Sequence, residues 1–231
     1  NDIKTNLIKE NEPTKLKEIC EANSLKILTV NALQKFNIWN DERSKEFIEL
    51  CKFASLASIE AIVLVPLNDN SIIEINEQRK LLHHSLKHIE TILSDYDVMG
   101  FVEPLGFQSS SLRNKSMVKE CFQQLNISKI KIVHDTFHHF VAQENFFSPT
   151  ITGLVHISGV SKKFINEQLQ DKHRSFIDPT DDIIDNIQQI KVFIDQNYQG
   201  FFSFEPFSEE VIINNPKEKI KKMLKLFSEF L

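Results

Sequence analysis

Residues 129–139 read Lys-Ile-Lys-Ile-Val-His-Asp-Thr-Phe-His-His, an apolar run that ends on an aspartate and continues into two histidines. A short apolar run of this kind predicts a strand buried in a parallel sheet. Three further segments have the same form, namely Gly-Phe-Val-Glu103, Gly-Leu-Val-His156 and Phe-Phe-Ser-Phe-Glu205. Each segment ends on a side chain that can bind a metal ion. These four strand ends therefore carry the prediction of both the fold and the site.

Strand-like and helix-like patterns alternate along the chain, which predicts a parallel sheet with crossover helices. The six predicted strands are Lys26–Ala32, Ala61–Leu67, Gly100–Glu103, Lys129–Asp135, Gly153–Ser158 and Gly200–Glu205. Most intervals between strand ends have the length of one βα unit. The longest interval, before the last strand, contains an insertion at Ser161–Asp182, which we expect to act as a lid or substrate loop.

The predicted fold class is α/β, and more specifically a (β/α)8 TIM barrel. A closed barrel needs eight strands in about 250 residues, whereas six strands are visible in this sequence. We therefore predict one domain over residues 1–231 that is incomplete at its N-terminus and lacks the first strand, the first helix and most of the second strand. An open six-stranded sheet is the alternative. In a barrel, the carboxyl ends of the strands meet at one mouth, so the four polar strand ends would converge there.

Composition limits the class of partner. The 27 Lys and Arg residues against 32 Asp and Glu residues give a net charge of −5, which does not attract a polyanion, so we expect a small-molecule partner and no nucleic acid. No apolar run approaches the roughly 18 residues that cross a bilayer, and the first residues lack the apolar region of a signal peptide. These features predict a soluble, cytoplasmic protein with no membrane partner, and a homo-oligomer is compatible with them.

The cysteines are three in number and show no Cys-x-x-Cys spacing. Zinc and redox sites normally use such short spacings, and a disulfide framework normally uses an even number of cysteines. We therefore predict that Cys20, Cys51 and Cys121 are reduced packing residues in helices.

Two glutamates, an aspartate and a histidine at one mouth would form a site for a divalent cation. The individual residues also have structural explanations, because Glu103 could be solvated in a turn and His156 could be an ordinary core histidine. Glu103 and Glu205 are each followed by a proline, which ends a strand. His138 lies three residues after Asp135, so that it could contact the metal's water or the substrate, or merely cap the next helix.

Three further residues are candidates for substrate binding. Arg174 lies in the insertion, where it could fix a substrate oxygen or form a surface salt bridge. Asn31 and Asn68 follow two earlier predicted strands and are hydrogen-bonding candidates at the same mouth.

The segments at 30–37, 102–107, 133–139, 154–160 and 202–207 together resemble the xylose-isomerase-like TIM-barrel superfamily of sugar isomerases and epimerases, and within it the 2-keto-myo-inositol isomerases. The resemblance extends from about Leu25 to the C-terminus. It implies that one divalent metal ion (Mg²⁺, Mn²⁺, Co²⁺ or Zn²⁺) is bound by Glu103, Asp135, His156 and Glu205. It also implies that both glutamates flank the reacting carbons, that His138 contacts the substrate or the metal's water, and that Arg174 contacts the substrate.

The resemblance therefore implies isomerisation or epimerisation of an inosose or a related keto-sugar, as in inositol catabolism. One glutamate would remove a proton beside the polarised carbonyl, and the other would return a proton to the adjacent carbon of a cis-enediolate. An inosose dehydratase would instead expel a β-hydroxyl group, and a non-catalytic sugar-binding barrel is a third alternative. A hydrolase of the endonuclease type needs several metals, more histidines and a basic groove, which the net charge disfavours.

Overall fold

The computed structural model describes residues 12–72, 74–209, 211 and 216–228. Its strands are β1 (Thr29–Gln34), β2 (Ala61–Val65), β3 (Met99–Val102), β4 (Ile130–Asp135), β5 (Thr152–Ile157) and β6 (Phe201–Phe204). Its helices are α1 (Pro13–Ala22), α2 (Asp41–Leu56), α3 (Ile75–Leu93), α4 (Lys115–Leu125), α5 (Thr136–Ala142), α6 (Asn186–Asp195) and α7 (Pro216–Ser228). In these ranges, no helix is both long and apolar enough to span a bilayer.

The sheet follows the predicted βα order. The strands are hydrogen-bonded neighbours in chain order from β1 to β6, and a helix lies in each connection between consecutive strands. The pairings β1–β2, β2–β3, β3–β4 and β5–β6 are all parallel. Consecutive parallel neighbours joined through helices are the arrangement that repeated βα units produce.

Strand β1 begins three residues later than predicted, at Thr29 instead of Lys26. Its buried side chains are Val30, Ala32 and Leu33, and its pairing with β2 shifts register between Asn31 and Leu33. Asn31 is exposed at the middle of the strand. It lies inside β1, as it does in the predicted range Lys26–Ala32, and the strand continues to Gln34, two residues beyond the predicted end.

The chain divides into two compact units after Ile132. In the first unit, α2 packs against β1 and β2, while α3 packs against β3 and α4. The predicted apolar face of α2 is buried at Phe47, Leu50, Cys51 and Ala54. Asn40 caps this helix, because its side chain accepts a hydrogen bond of 2.9 Å from the backbone N–H of Arg43.

The second unit has its own apolar core, formed by β5, α6, α7 and the insertion. The buried side chains of this core are Val155, Ile157, Ile177, Ile190, Phe193, Met223 and Phe227. The core supports the outer faces of the strands whose carboxyl ends carry polar residues. That the two units form a single domain stays a prediction.

The three cysteines are free, and their reactivity can be predicted from burial. Burial raises the pKa of the Cys51 thiol to about 12 and that of the Cys121 thiol to about 11. Because the thiolate is the nucleophile, we predict that iodoacetamide at pH 8 alkylates the partly exposed Cys20 and spares the other two until guanidinium unfolds the chain. Peptide mass spectrometry measures this, and alkylation of native Cys51 faster than Cys20 would contradict its burial.

Candidate metal centre

Asp135 is held at the turn where β4 ends and α5 begins. Its Oδ1 accepts a hydrogen bond of 2.9 Å from the backbone N–H of His138, which makes it the N-cap of α5. Its side chain is 1% exposed. The preceding residue, His134, faces the other side of the strand, where its Nε2 lies 2.9 Å from Oε1 of Gln189.

His156 and Glu205 face the same side of the sheet because of their register. His156 pairs with Ser203, and Glu205 lies two residues beyond Ser203, so both side chains point in one direction. His156 Nδ1 is 3.1 Å from Glu205 Oε2 and 4.0 Å from Asp135 Oδ2. The second unit thus brings together one imidazole and two carboxylates whose ligand atoms all lie within 4.8 Å of one another.

Arg174 lies among these side chains and is 1% exposed. Its Nη2 donates hydrogen bonds of 2.5 Å to Asp135 Oδ2 and 2.8 Å to Glu205 Oε2. Its Nε donates to Ser158 Oγ at 2.9 Å, and its Nη1 donates to Asp171 Oδ1 at 3.2 Å. The alternative of a surface salt bridge is therefore wrong, because the guanidinium is buried.

A close approach of two backbone segments positions Arg174. Gly159 and Ser175 exchange two backbone hydrogen bonds of 2.8 Å, immediately beside the arginine. A Cβ atom on Gly159 would lie 2.8 Å from Cα of Ile177 and 2.9 Å from the carbonyl oxygen of Phe176. Only glycine permits this approach without a backbone shift, so the glycine after β5 helps to bring Arg174 to the site.

Four residues that surround the guanidinium were not predicted from the sequence. Ser158 and Asp171 accept its hydrogen bonds, and its Cζ lies 5.0 Å and 4.8 Å from the ring centroids of Phe137 and Phe207. A guanidinium over an aromatic face is attracted to the ring's electrons. Each residue lies within five positions of a predicted site residue, and that proximity is the one signal the sequence offers for them.

The charge state of Asp135 follows from its neighbours. Burial raises the pKa of this carboxyl, but the charge of Arg174 lowers it, with further lowering from His138, His156 and the backbone N–H of His138. The net result holds the pKa of Asp135 well below its usual range. The carboxylate is therefore ionised at neutral pH and available to a cation.

The side chain of His138 lies in the first turn of α5 and is 4% exposed. The cap of this helix is the Asp135 carboxylate, and His138 contributes its backbone N–H to that cap. The alternative that the His138 side chain caps the helix is therefore wrong. Its contact with a substrate stays a prediction.

Three predicted site residues belong to the first unit. Glu103 directly follows β3 and is 5% exposed, so the alternative of a glutamate solvated in a turn is wrong. Asn31, inside β1, accepts a hydrogen bond of 3.0 Å from Thr29 Oγ1. Asn68 follows β2 and is exposed, and its Oδ1 accepts a hydrogen bond of 2.6 Å from Ser109 Oγ.

The insertion is folded and borders a cavity. It contains two short 3₁₀ turns, Lys162–Phe164 and Asp171–His173. Asp182 Oδ1 accepts a hydrogen bond of 3.0 Å from the backbone N–H of Val160, which ties the end of the insertion to its start. A cavity of about 630 Å³ lies between the insertion and residues 208–209. The role of the insertion as a lid stays a prediction.

Strands paired in chain order, with ionisable side chains at their carboxyl ends, define an α/β protein of the TIM-barrel type. The chain belongs to the xylose isomerase-like TIM barrel family, whose model matches residues 4–230. The predicted fold class is thereby confirmed.

Three relatives illustrate this membership. The inosose isomerase of Halalkalibacterium halodurans is 24% identical over 226 residues, which cover 93% of this chain and 78% of the relative. A solved xylose isomerase domain-containing protein from Salmonella typhimurium LT2 is 29% identical with a TM-score of 0.83, covering 94% of this chain and 79% of that protein. The IOLI protein, solved with a bound zinc atom, is 20% identical with a TM-score of 0.86, and the match covers 99% of this chain and 84% of that protein.

Proposed function

We propose that this protein is a divalent-metal-dependent isomerase or epimerase that acts on an inosose or a related keto-sugar. The observation that carries the proposal is the gathering of Asp135, His156 and Glu205, whose ligand atoms lie within 4.8 Å of one another. The inosose isomerase relative supports the substrate class, and the zinc in the IOLI structure supports the metal.

The spacing of the three side chains fits a divalent cation. Ligand atoms about 2.1 Å from an ion, in tetrahedral or octahedral geometry, lie about 3.0–3.4 Å from one another. The observed separations from His156 Nδ1 are 3.1 Å to Glu205 and 4.0 Å to Asp135. The Glu205 oxygen is already in this range, and a small side-chain rotation would bring the Asp135 oxygen into it. An imidazole with carboxylates suits Zn²⁺, Mn²⁺ or Co²⁺, and Mg²⁺ also accepts the oxygens.

Glu103 is the proposed fourth ligand. Val102 of β3 pairs with Ile132 of β4, so the next position, Glu103, corresponds to Val133. Because side chains alternate along a strand, Glu103 and Asp135 face the same side. The burial of Glu103 is compatible with this assignment, because buried carboxylates are hydrogen-bonded, paired with a cation or bound to a metal.

When bound, the metal ion would polarise the substrate carbonyl and thereby acidify the neighbouring C–H. Glu103 and Glu205 would then share the proton transfer, one as the base that removes the proton and the other as the acid that returns a proton to the adjacent carbon. Arg174 would donate a hydrogen bond to the substrate oxygen on which negative charge develops. His138 would bind a neighbouring hydroxyl group and fix the orientation of the ring.

Proton exchange from solvent tests this function. We expect the protein with Mn²⁺ to introduce deuterium from D₂O beside the carbonyl of 2-keto-myo-inositol, without loss of water, as followed by NMR. The same protein treated with EDTA is the control and should be inactive. A diketone product would instead establish a dehydratase, and a substrate that binds without exchange would establish a sugar-binding protein. A substrate that neither binds nor exchanges would exclude the isomerase, the dehydratase and the sugar-binding protein for 2-keto-myo-inositol, and with them the proposed substrate class.

A further inference from the structure

We propose that Arg174 is an internal counter-cation of the metal centre, which a metal ion displaces from Asp135 and Glu205 before substrate binds. This inference rests on the proposed function. A single nitrogen, Nη2, lies 2.5 Å from Asp135 Oδ2 and 2.8 Å from Glu205 Oε2. Those are the same two oxygens that lie 4.0 Å and 3.1 Å from His156 Nδ1 in the proposed metal site. The guanidinium and the ion therefore compete for the same oxygen atoms.

Electrostatics explains why the guanidinium of Arg174 occupies this position. The carboxylates of Asp135 and Glu205 are 1% and 18% exposed, so water screens their repulsion poorly. Charge-assisted hydrogen bonds to one guanidinium offset that repulsion. A metal ion would supply the same positive charge through direct bonds to the oxygens, so the hydrogen bonds of Nη2 would no longer be needed.

The remaining contacts of Arg174 show how it can be released without leaving the site. Its Nε binds Ser158, its Nη1 binds Asp171, and its guanidinium lies over the rings of Phe137 and Phe207. None of these four residues belongs to the proposed ligand set. A small rotation of the guanidinium can therefore free Nη2 while the other contacts hold the side chain beside the ion. The freed N–H donors then face the substrate oxygen, which places metal binding before substrate binding.

Zinc titration of the metal-free protein by calorimetry tests the inference. We expect Arg174→Met, which keeps the length and removes the charge, to bind Zn²⁺ about tenfold more tightly or better than the wild type. Arg174→Lys keeps the charge but presents a single ammonium group in place of the fork, and it should fall between the two. Arg43→Met is the matched control, because Arg43 pairs with Glu42 and Glu46 in the first unit. Its affinity for Zn²⁺ should stay within about twofold of the wild type.

Thermal unfolding gives the second measurement, and it separates displacement from a purely structural role. Without metal, Arg174→Met should melt at a lower temperature than the wild type, and saturating Zn²⁺ should remove most of that difference. If Arg174→Met does not fold without metal, Arg174→Lys provides the same comparison. If the wild type bound Zn²⁺ but Arg174→Met and Arg174→Lys bound it no more tightly, the inference would be overturned. The proposed function would still stand. If neither the wild type nor any of the variants bound Zn²⁺, both the inference and the proposed function would be overturned.

Discussion

Replacing Glu205 with glutamine is expected to lower the turnover of 2-keto-myo-inositol by about a thousandfold or more, because general acid–base catalysis contributes roughly 10²–10⁴ and a metal ligand is lost as well. Glutamine has nearly the same shape but can neither accept the proton nor bind the ion as an anion. Glu205 is only partly buried, so the variant should fold. The measurement is kcat by NMR at saturating Mn²⁺, together with substrate affinity.

The matched control for this variant is Glu60→Gln. Glu60 pairs with Lys26 at the protein surface, and exposed pairs contribute about 0–1 kcal/mol, so this variant should keep wild-type activity and stability. Glu205→Gln with more than about a tenth of wild-type turnover would contradict a role in proton transfer. Unchanged ligand affinity, with no turnover in either the wild type or the variant, would establish a binding protein instead.

Replacing Asp135 with asparagine is expected to lower the free energy of unfolding of the metal-free protein by about 3 kcal/mol, the lower end of the cost of breaking a buried ion pair. The asparagine would leave the buried guanidinium of Arg174 with Glu205 and the half-exposed Asp171 as its carboxylate partners. The same change should weaken Zn²⁺ binding, because the ligand loses its charge. Urea denaturation followed by circular dichroism measures the stability.

Asp171→Asn is the control, because it removes an exposed carboxylate partner of the same arginine and should cost less than about 1 kcal/mol.

The pH dependence of stability provides a further check. The folded pKa of Asp135 lies below its usual range, so its stabilising contribution is complete above the unfolded pKa of about 3.9 and is lost as the pH falls through the folded pKa. The stability difference between wild type and Asp135→Asn should therefore be constant from pH 5 to 8 and shrink below about pH 4. If Asp135→Asn were as stable as Asp171→Asn, the result would contradict the buried ion pair between Asp135 and Arg174.

The positions of β2 and β3 were predictable because strands buried on both faces leave continuous apolar runs in the sequence. Asp135, His156 and Glu205 marked the carboxyl ends of β4, β5 and β6, although burial continues past Asp135 and His156. The predicted bounds of β1, Lys26–Ala32, were wrong at both ends, because the observed strand Thr29–Gln34 continues past the exposed Asn31, which interrupts the apolar run. Sequence spacing does not record a shift in pairing register.

The sequence indicated site residues only where a side chain lies at or beside the end of a strand. Asp135, which ends β4, His156, the penultimate residue of β5, and Glu205, which directly follows β6, satisfy that condition, and the structure places them together. Arg174 does not, since its burial depends on Asp135, Ser158 and Glu205, which come from three separate segments. A local sequence pattern cannot decide whether such an arginine is exposed or buried, because its desolvation is offset only by partners that folding brings to it.

The central claim is that the side chains of Glu103, Asp135, His156 and Glu205 hold one divalent metal ion. Anomalous scattering from a crystal grown with Zn²⁺, recorded on both sides of the zinc absorption edge, tests it most directly. We predict one strong peak within about 2.0–2.2 Å of ligand atoms of Asp135, His156, Glu205 and Glu103, with Nη2 of Arg174 moved away from the two carboxylates. A crystal with no peak at these residues, in which Arg174 still bridges Asp135 and Glu205, would contradict the claim.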